Sequence, residues 1–311
     1  QINYKGQPVR VSPLNYADFF KWWANKDGGI PAYVIVNMST QDTEIVRLEN
    51  PIRYSDSDPF FYNVDRHVQL SYPFYMFDEK SFEINDDGEP FWIYPVQKRT
   101  IGLFGGTTIQ RVVLCNASTG ECQDFAIEDV PQWVDRAYPA ELLIEQYNWS
   151  GALSGGWINS WLGQNGVKQT TPSTDGKSGF NYIAQDDDVW VYSGVTSATA
   201  DNSIIGCVMI NQRTAESKFY SVAGATEESA MRSAEGQVQH LQYDATFPLL
   251  INVDGQPTYF MALKDAAGLV KMYAMVDIQR YQNVAVGDTL AATEKSYKQL
   301  LVSQGINVGG S

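Results

Sequence analysis

The chain has 311 residues, 44% hydrophobic and 13% aromatic, and carries a net charge of −14 from 36 acidic and 22 basic side chains. That apolar content excludes global disorder, and the length predicts two compact domains of about 150 residues each. The negative field repels phosphate backbones and anionic lipid surfaces, which argues against nucleic acid as a partner and for a solubilising role of the charge.

In chain order, Tyr16, Phe19, Phe20 and Trp23 follow helical spacing before Gly28-Gly29. Strands are predicted at 33–36 and 45–48. Asp58 followed by Pro59 reads as a helix start, with Phe60, Phe61, Val64 and Val68 on one face. Strands at 82–85 and 91–96 then flank a turn at Asp87-Gly88, and 110–115 pairs with 122–127 as a second hairpin. Pro139 opens a helix with Leu142, Leu143, Ile144 and Tyr147. The Gly/Ser-rich stretch 151–178 is the expected loop or boundary between a first half, 1–150, and a second half, 179–311. The second half reads as strands at 182–184, 189–192, 204–210 and 218–222, and a helix at 227–241 capped by Thr226. Strands at 249–253, 259–263, 270–276 and 282–286 follow, before a last helix from Asp288.

Two elements repeat. Ile84-Asn85-Asp86-Asp87-Gly88-Glu89-Pro90 returns as Ile251-Asn252-Val253-Asp254-Gly255-Gln256-Pro257, and Asp-Gly between apolar runs marks a hairpin turn. At Asn37, Asn116 and Asn211 an apolar strand ends in Asn with Thr three residues later, a turn nucleated by the Asn side chain. The repeats predict an α+β fold of helix–β-hairpin (α-β-β) modules with mostly antiparallel sheets.

At Asn116 to Glu121, and at Gly88 to Trp92 with its echo at Gly255 to Tyr259, the chain resembles PepSY-like repeats of exported or membrane-anchored bacterial proteins. That resemblance implies an extracytoplasmic, non-catalytic regulatory or interaction domain, with a protein partner at the cell envelope. It transfers no catalytic residue. The chain holds no apolar run near the roughly 18 residues that span a bilayer. It begins at Gln1 without a basic-then-apolar leader, so any membrane anchor is expected in a segment absent from this chain.

The search for chemistry yields no catalytic, cofactor-binding or metal-ligating assignment. The two histidines, His67 and His240, are far apart in sequence and match no metal-ligand spacing. Cys115 and Cys122 face each other across a predicted hairpin, where both a cross-strand disulfide and two reduced strand thiols fit; Cys207 is left over. Gly102 to Thr108 lacks the Lys of a phosphate loop, and Asp186-Asp187-Asp188 lacks the spacing of a calcium loop. Trp149, Trp157 and Trp161, in or beside the Gly/Ser-rich stretch, are the expected partner-contacting residues. Exposed aromatics of this kind also suit a carbohydrate or cell-wall binding module, with a glycan as ligand. A hydrolase with a carboxylate site is the further alternative.

Overall fold

The computed structural model describes residues 2–14, 28–37, 42–99, 106–153, 168–170, 180–185, 188–197 and 203–305. The predicted helix over Tyr16 to Trp23 lies outside them. Among the described residues strands make up 49% and helices 20%, and those strands form four small antiparallel sheets. This overturns the expected α+β class and the α-β-β modules that the sequence repeats predicted. The hairpins are not closed units under a helix. They continue into further strands, giving up-and-down meanders with the size of β-propeller blades.

The chain divides into two compact units. The first is Gln1–Leu143, Tyr182–Trp190 and Asn211–Glu216; the second is Ile144–Asn181, Val191–Ile210 and Ser217–Ser311.

The first sheet runs β1 (Ile2–Tyr4), β2 (Gln7–Pro13), β3 (Ile30–Asn37) and β4 (Thr43–Ile52) in sequence order. Ile2, Val9 and Tyr33 pack there with Ile84, and the Tyr33 hydroxyl donates to the Gly88 carbonyl at 2.9 Å. Burial pushes that phenol up to about 12.

Helix α1 (Val64–Ser71) starts five residues later than the Asp-Pro signal suggested. The Asp58 carboxylate is occupied by the amides of Phe60 and Tyr62 in a non-helical turn, and Asn63 caps the helix by accepting from the Arg66 amide. Phe60 and Phe61 therefore fall outside the helix.

The second sheet, β5 (Ser81–Ile84), β6 (Pro90–Arg99), β7 (Thr107–Asn116) and β8 (Cys122–Ala126), is covered on both faces. Trp92, Tyr94, Val96, Val113 and Cys115 pack with Val64 and Val68 of α1. The alternate residues Ile93, Val112 and Leu114 pack with Val134, Ala137 and Leu142. Double coverage explains why Val112 to Cys115 is apolar without alternation. Ile109 joins the second face because an irregularity opposite Val96/Gln97 shifts the register and inverts the alternation.

Helix α2 (Ala140–Leu153) follows. The third sheet orders β10 (Asn181–Gln185), β11 (Asp188–Ser197), β12 (Ser203–Asn211) and β13 (Ser217–Ala225), with β9 (Lys168–Thr170) pairing β11. Helix α3 (Glu227–Gln237), capped by Thr226, is shorter than the 227–241 expectation; a 3-10 turn over Gln239–Leu241 completes that stretch. The fourth sheet orders β14 (Asp244–Ala245), β16 (Gln256–Lys264), β17 (Val270–Asp277) and β18 (Val284–Gly287), with β15 (Leu249–Val253) also on β16. Ala230, Ala234 and Val238 pack with Tyr259, Met261, Leu263, Ala274 and Val276. On the other face, Tyr297 and Leu301 of α4 (Leu290–Ser303) meet Val253, Met275 and Ala285.

The two I-N-x-D-G-x-P segments fold differently. In the first, Ile84 pairs Pro90 and a three-residue loop, 86–88, carries Gly88 at φ +80°. In the second, Asn252 pairs Pro257, Val253 pairs Gln256, and Asp254-Gly255 alone turn the chain with both φ positive. Val253 favours the extended ladder, whereas Asp86 at the same motif position stays in the turn.

Candidate functional site

Trp157 and Trp161 lie outside the described residues; Trp149 lies in α2, and its side chain is likewise undescribed. Of the predicted acidic run, Asp188 is a buried strand residue that accepts from Arg213 and from Asn211 at 2.7 Å each, an internal pairing rather than a ligand loop. His240 sits exposed in the 3-10 turn. The convergence of chemistry is elsewhere, at α1 and the β7–β8 hairpin of the first unit.

That hairpin turns on Asn116. Its side-chain oxygen accepts from the amides of Ser118 (2.9 Å) and Thr119 (3.0 Å), and the Thr119 hydroxyl accepts from the Glu121 amide. The Asn116 amide donates to the Glu121 carbonyl, and Gly120, at φ +78°, donates to the Asn116 carbonyl. Closure at 116/121 makes the next pair, Cys115 opposite Cys122, a non-hydrogen-bonded pair, the kind in which side chains approach most closely. Both thiols are free, Cys115 fully buried and Cys122 half-buried.

Helix α1 brings the third group. His67 Nε2 lies 2.7 Å from the Gly120 carbonyl; because a carbonyl only accepts, Nε2 carries the proton in this tautomer. The Tyr54 ring covers the imidazole at 4.4 Å between centroids, and the Tyr72 hydroxyl reaches the Cys122 carbonyl at 3.5 Å. Among the described residues, His67, Cys115 and Cys122 form a group of three potential metal donors, with atoms within 4.8 Å of one another. The 53 positions between His67 and Gly120 hide this grouping from any local motif. The opposed thiols were legible in the hairpin spacing; the imidazole was not.

The two thiols are driven apart. A hydrogen bond from Cys115, aided by the nearby His67 and Ser71, lowers Cys122 to about 7, against the penalty of its own burial. The same bond, with burial, raises Cys115 far above the ordinary thiol range. Burial, then the neighbouring Glu227, pushes Cys207 up to about 11. Alkylation of the native, reduced protein should therefore modify Cys122 first, its rate rising through pH 7 instead of the usual range near about 8.5. Peptide mass mapping after brief iodoacetamide exposure at pH 8 checks this; equal modification of all three cysteines would contradict it.

The segment that carries His67 also carries an apolar fringe. Phe61 is 83% exposed, Leu70 76% and Phe74 96%, with Phe60 and Met76 about half exposed. Val64 and Val68, on the inner side of the same helix, are fully buried. The fringe is thus distinct from the helix's core contact.

No protein-family profile and no curated protein matches the chain. Among solved structures it is similar to a B. megaterium levansucrase variant at 11% identity and a TM-score of 0.21. That likeness covers 86% of this chain, which spans 61% of the levansucrase chain.

Proposed function

We propose that this chain is a non-enzymatic interaction domain of the cell envelope that binds a protein partner through the apolar fringe around α1. The observation that carries the reading is the exposure of Phe61, Leu70 and Phe74 in the short stretch around a helix whose inner face is already packed. A fully buried side chain of this size gains about 1.5–3 kcal/mol over an exposed one, so apolar groups grouped this way favour a covering surface. Aromatic anchors dominate such contacts, and the acidic remainder of the chain keeps the free protein soluble. The expected partner surface thereby moves from the tryptophans of the Gly/Ser-rich stretch to α1 and its flanks.

A photo-crosslinking side chain placed at position 61 or 74, irradiated in envelope extract, should give a discrete adduct with one protein. The Phe61→Ser/Phe74→Ser double variant should lose at least about tenfold in affinity for that protein while unfolding at the same temperature. An adduct with no protein, or unchanged affinity in the double variant, would remove the reading. Retention on glycan alone would transfer it to carbohydrate binding.

A further inference from the structure

We infer that His67, Cys115 and Cys122 are the protein ligands of a thiophilic d10 cation, with Zn2+ the representative ion. Two sulfurs and one imidazole nitrogen form a soft donor set, poorly suited to Mg2+ or Ca2+ and well suited to zinc. Three protein donors with an open fourth position is a recognised zinc arrangement, the fourth place being filled by water or by an incoming ligand.

The placement of the donors supports this more specifically than their chemistry. Each comes from a different element: His67 from α1, Cys115 from β7 and Cys122 from β8. Their atoms lie within 4.8 Å, whereas donors on one tetrahedral ion sit roughly 3.5–4 Å apart, so a rotamer adjustment of under about 1 Å would close the set. The Gly120 carbonyl accepts from His67 Nε2 at 2.7 Å and from the Cys122 thiol at 3.5 Å, so one backbone oxygen holds the imidazole beside that sulfur. Gly120 serves the site twice. Its positive φ lets the turn close, and its missing side chain lets the Tyr54 ring lie over the imidazole. Tyr54 and Tyr72 pack in the same cluster as the two thiols, while the half-buried Cys122 leaves a way in.

The competing fate of an opposed pair of cysteines is a disulfide, which would consume both sulfurs and leave His67 idle. The test therefore uses the whole chain, fully reduced with a phosphine and freed of metal. Co2+ added as a spectroscopic probe should give a near-ultraviolet thiolate-to-cobalt charge-transfer band and the intense visible bands of tetrahedral cobalt, both removed by Zn2+. Competition with a chromophoric chelator should then show one Zn2+ per chain. His67→Ala should weaken Zn2+ by roughly tenfold or more, and Cys122→Ser should abolish the charge-transfer band, with Cys207→Ser unchanged. Because Cys115 is buried and its replacement risks the fold, the decisive variants are those at His67 and Cys122, each checked by circular dichroism. Absence of the charge-transfer band in reduced protein would overturn the inference, as would His67→Ala binding Zn2+ as tightly as the unaltered chain. The result is independent of partner binding, so either reading can fail alone.

Discussion

Glu83→Ala is expected to destabilise the first unit by roughly 3–5 kcal/mol, measured by urea unfolding at neutral pH. Glu83 lies in β5, wholly buried, and its carboxylate accepts from the Asp135 amide at 2.9 Å, the Arg136 amide at 3.0 Å and the Ser81 hydroxyl at 3.2 Å. Truncation leaves two backbone donors without their acceptor in a region water does not reach. The effect spreads, because Asp135 in turn accepts from the Asn3 amide of β1, and Val134 and Ala137 sit in the core behind β7. Glu83→Gln keeps the shape and one acceptor and should cost about half as much.

The pH dependence has a defined sign. Burial raises the Glu83 pKa, opposed by its backbone hydrogen bonds and by Arg136. A carboxyl whose folded pKa exceeds its unfolded value stabilises fully below the unfolded value, and that contribution fades as pH rises through the folded one. Unfolding free energy should therefore decline above about pH 4.3 by an amount that Glu83→Gln removes. An unchanged slope in the Gln variant would show that the group is not what limits stability there.

The second large effect is at Gly120. An alanine there is expected to cost roughly 2–5 kcal/mol, in two parts. The left-handed backbone at φ +78° penalises any side chain by about 1–2 kcal/mol, and the added carbon would lie 2.3 Å from the Tyr54 ring, forcing an overpacking cost of about 1–3 kcal/mol. Tyr54 cannot swing aside freely, since it lies against His67 and Tyr62.

The turn at Asn211 supplies the converse experiment. It repeats the Asn116 bonds, with its oxygen accepting from Arg213 and Thr214 and the Thr214 hydroxyl accepting from Glu216. Its left-handed position, at φ +61°, is held by Ala215. Ala215→Gly should therefore stabilise by about 1 kcal/mol. If both substitutions move the melting temperature the same way, the shared turn geometry is not the determinant.

Local chemistry was sufficient for the turns. Asn116 and Asn211 bind the amides two and three residues on, as their sequence context indicates, and Gly88 and Gly255 take the positive φ that Asp-Gly pairs announce. The helix cap at Thr226 and the pairing of β12 with β13 were equally legible, because a cap and a short apolar run are local signals of a few residues. What the sequence could not convey was how hairpins join. The β6–β7 pairing, which turns two hairpins into one meander, is a long ladder across a connection without a tight-turn signature, and this pairing replaces an α-β-β module with a sheet. The same limit governed the site. The opposed thiols of Cys115 and Cys122 follow from the length of one turn, whereas His67 reaches them only because Val64 and Val68 bury α1 against Trp92, Tyr94 and Val113. Packing of that face turns the remaining side of the helix toward the hairpin and leaves Leu70 with its flanking phenylalanines exposed. Turn chemistry is determined by neighbours in sequence; the grouping of imidazole and thiols is determined by which apolar faces find each other, and that belongs to the tertiary structure alone.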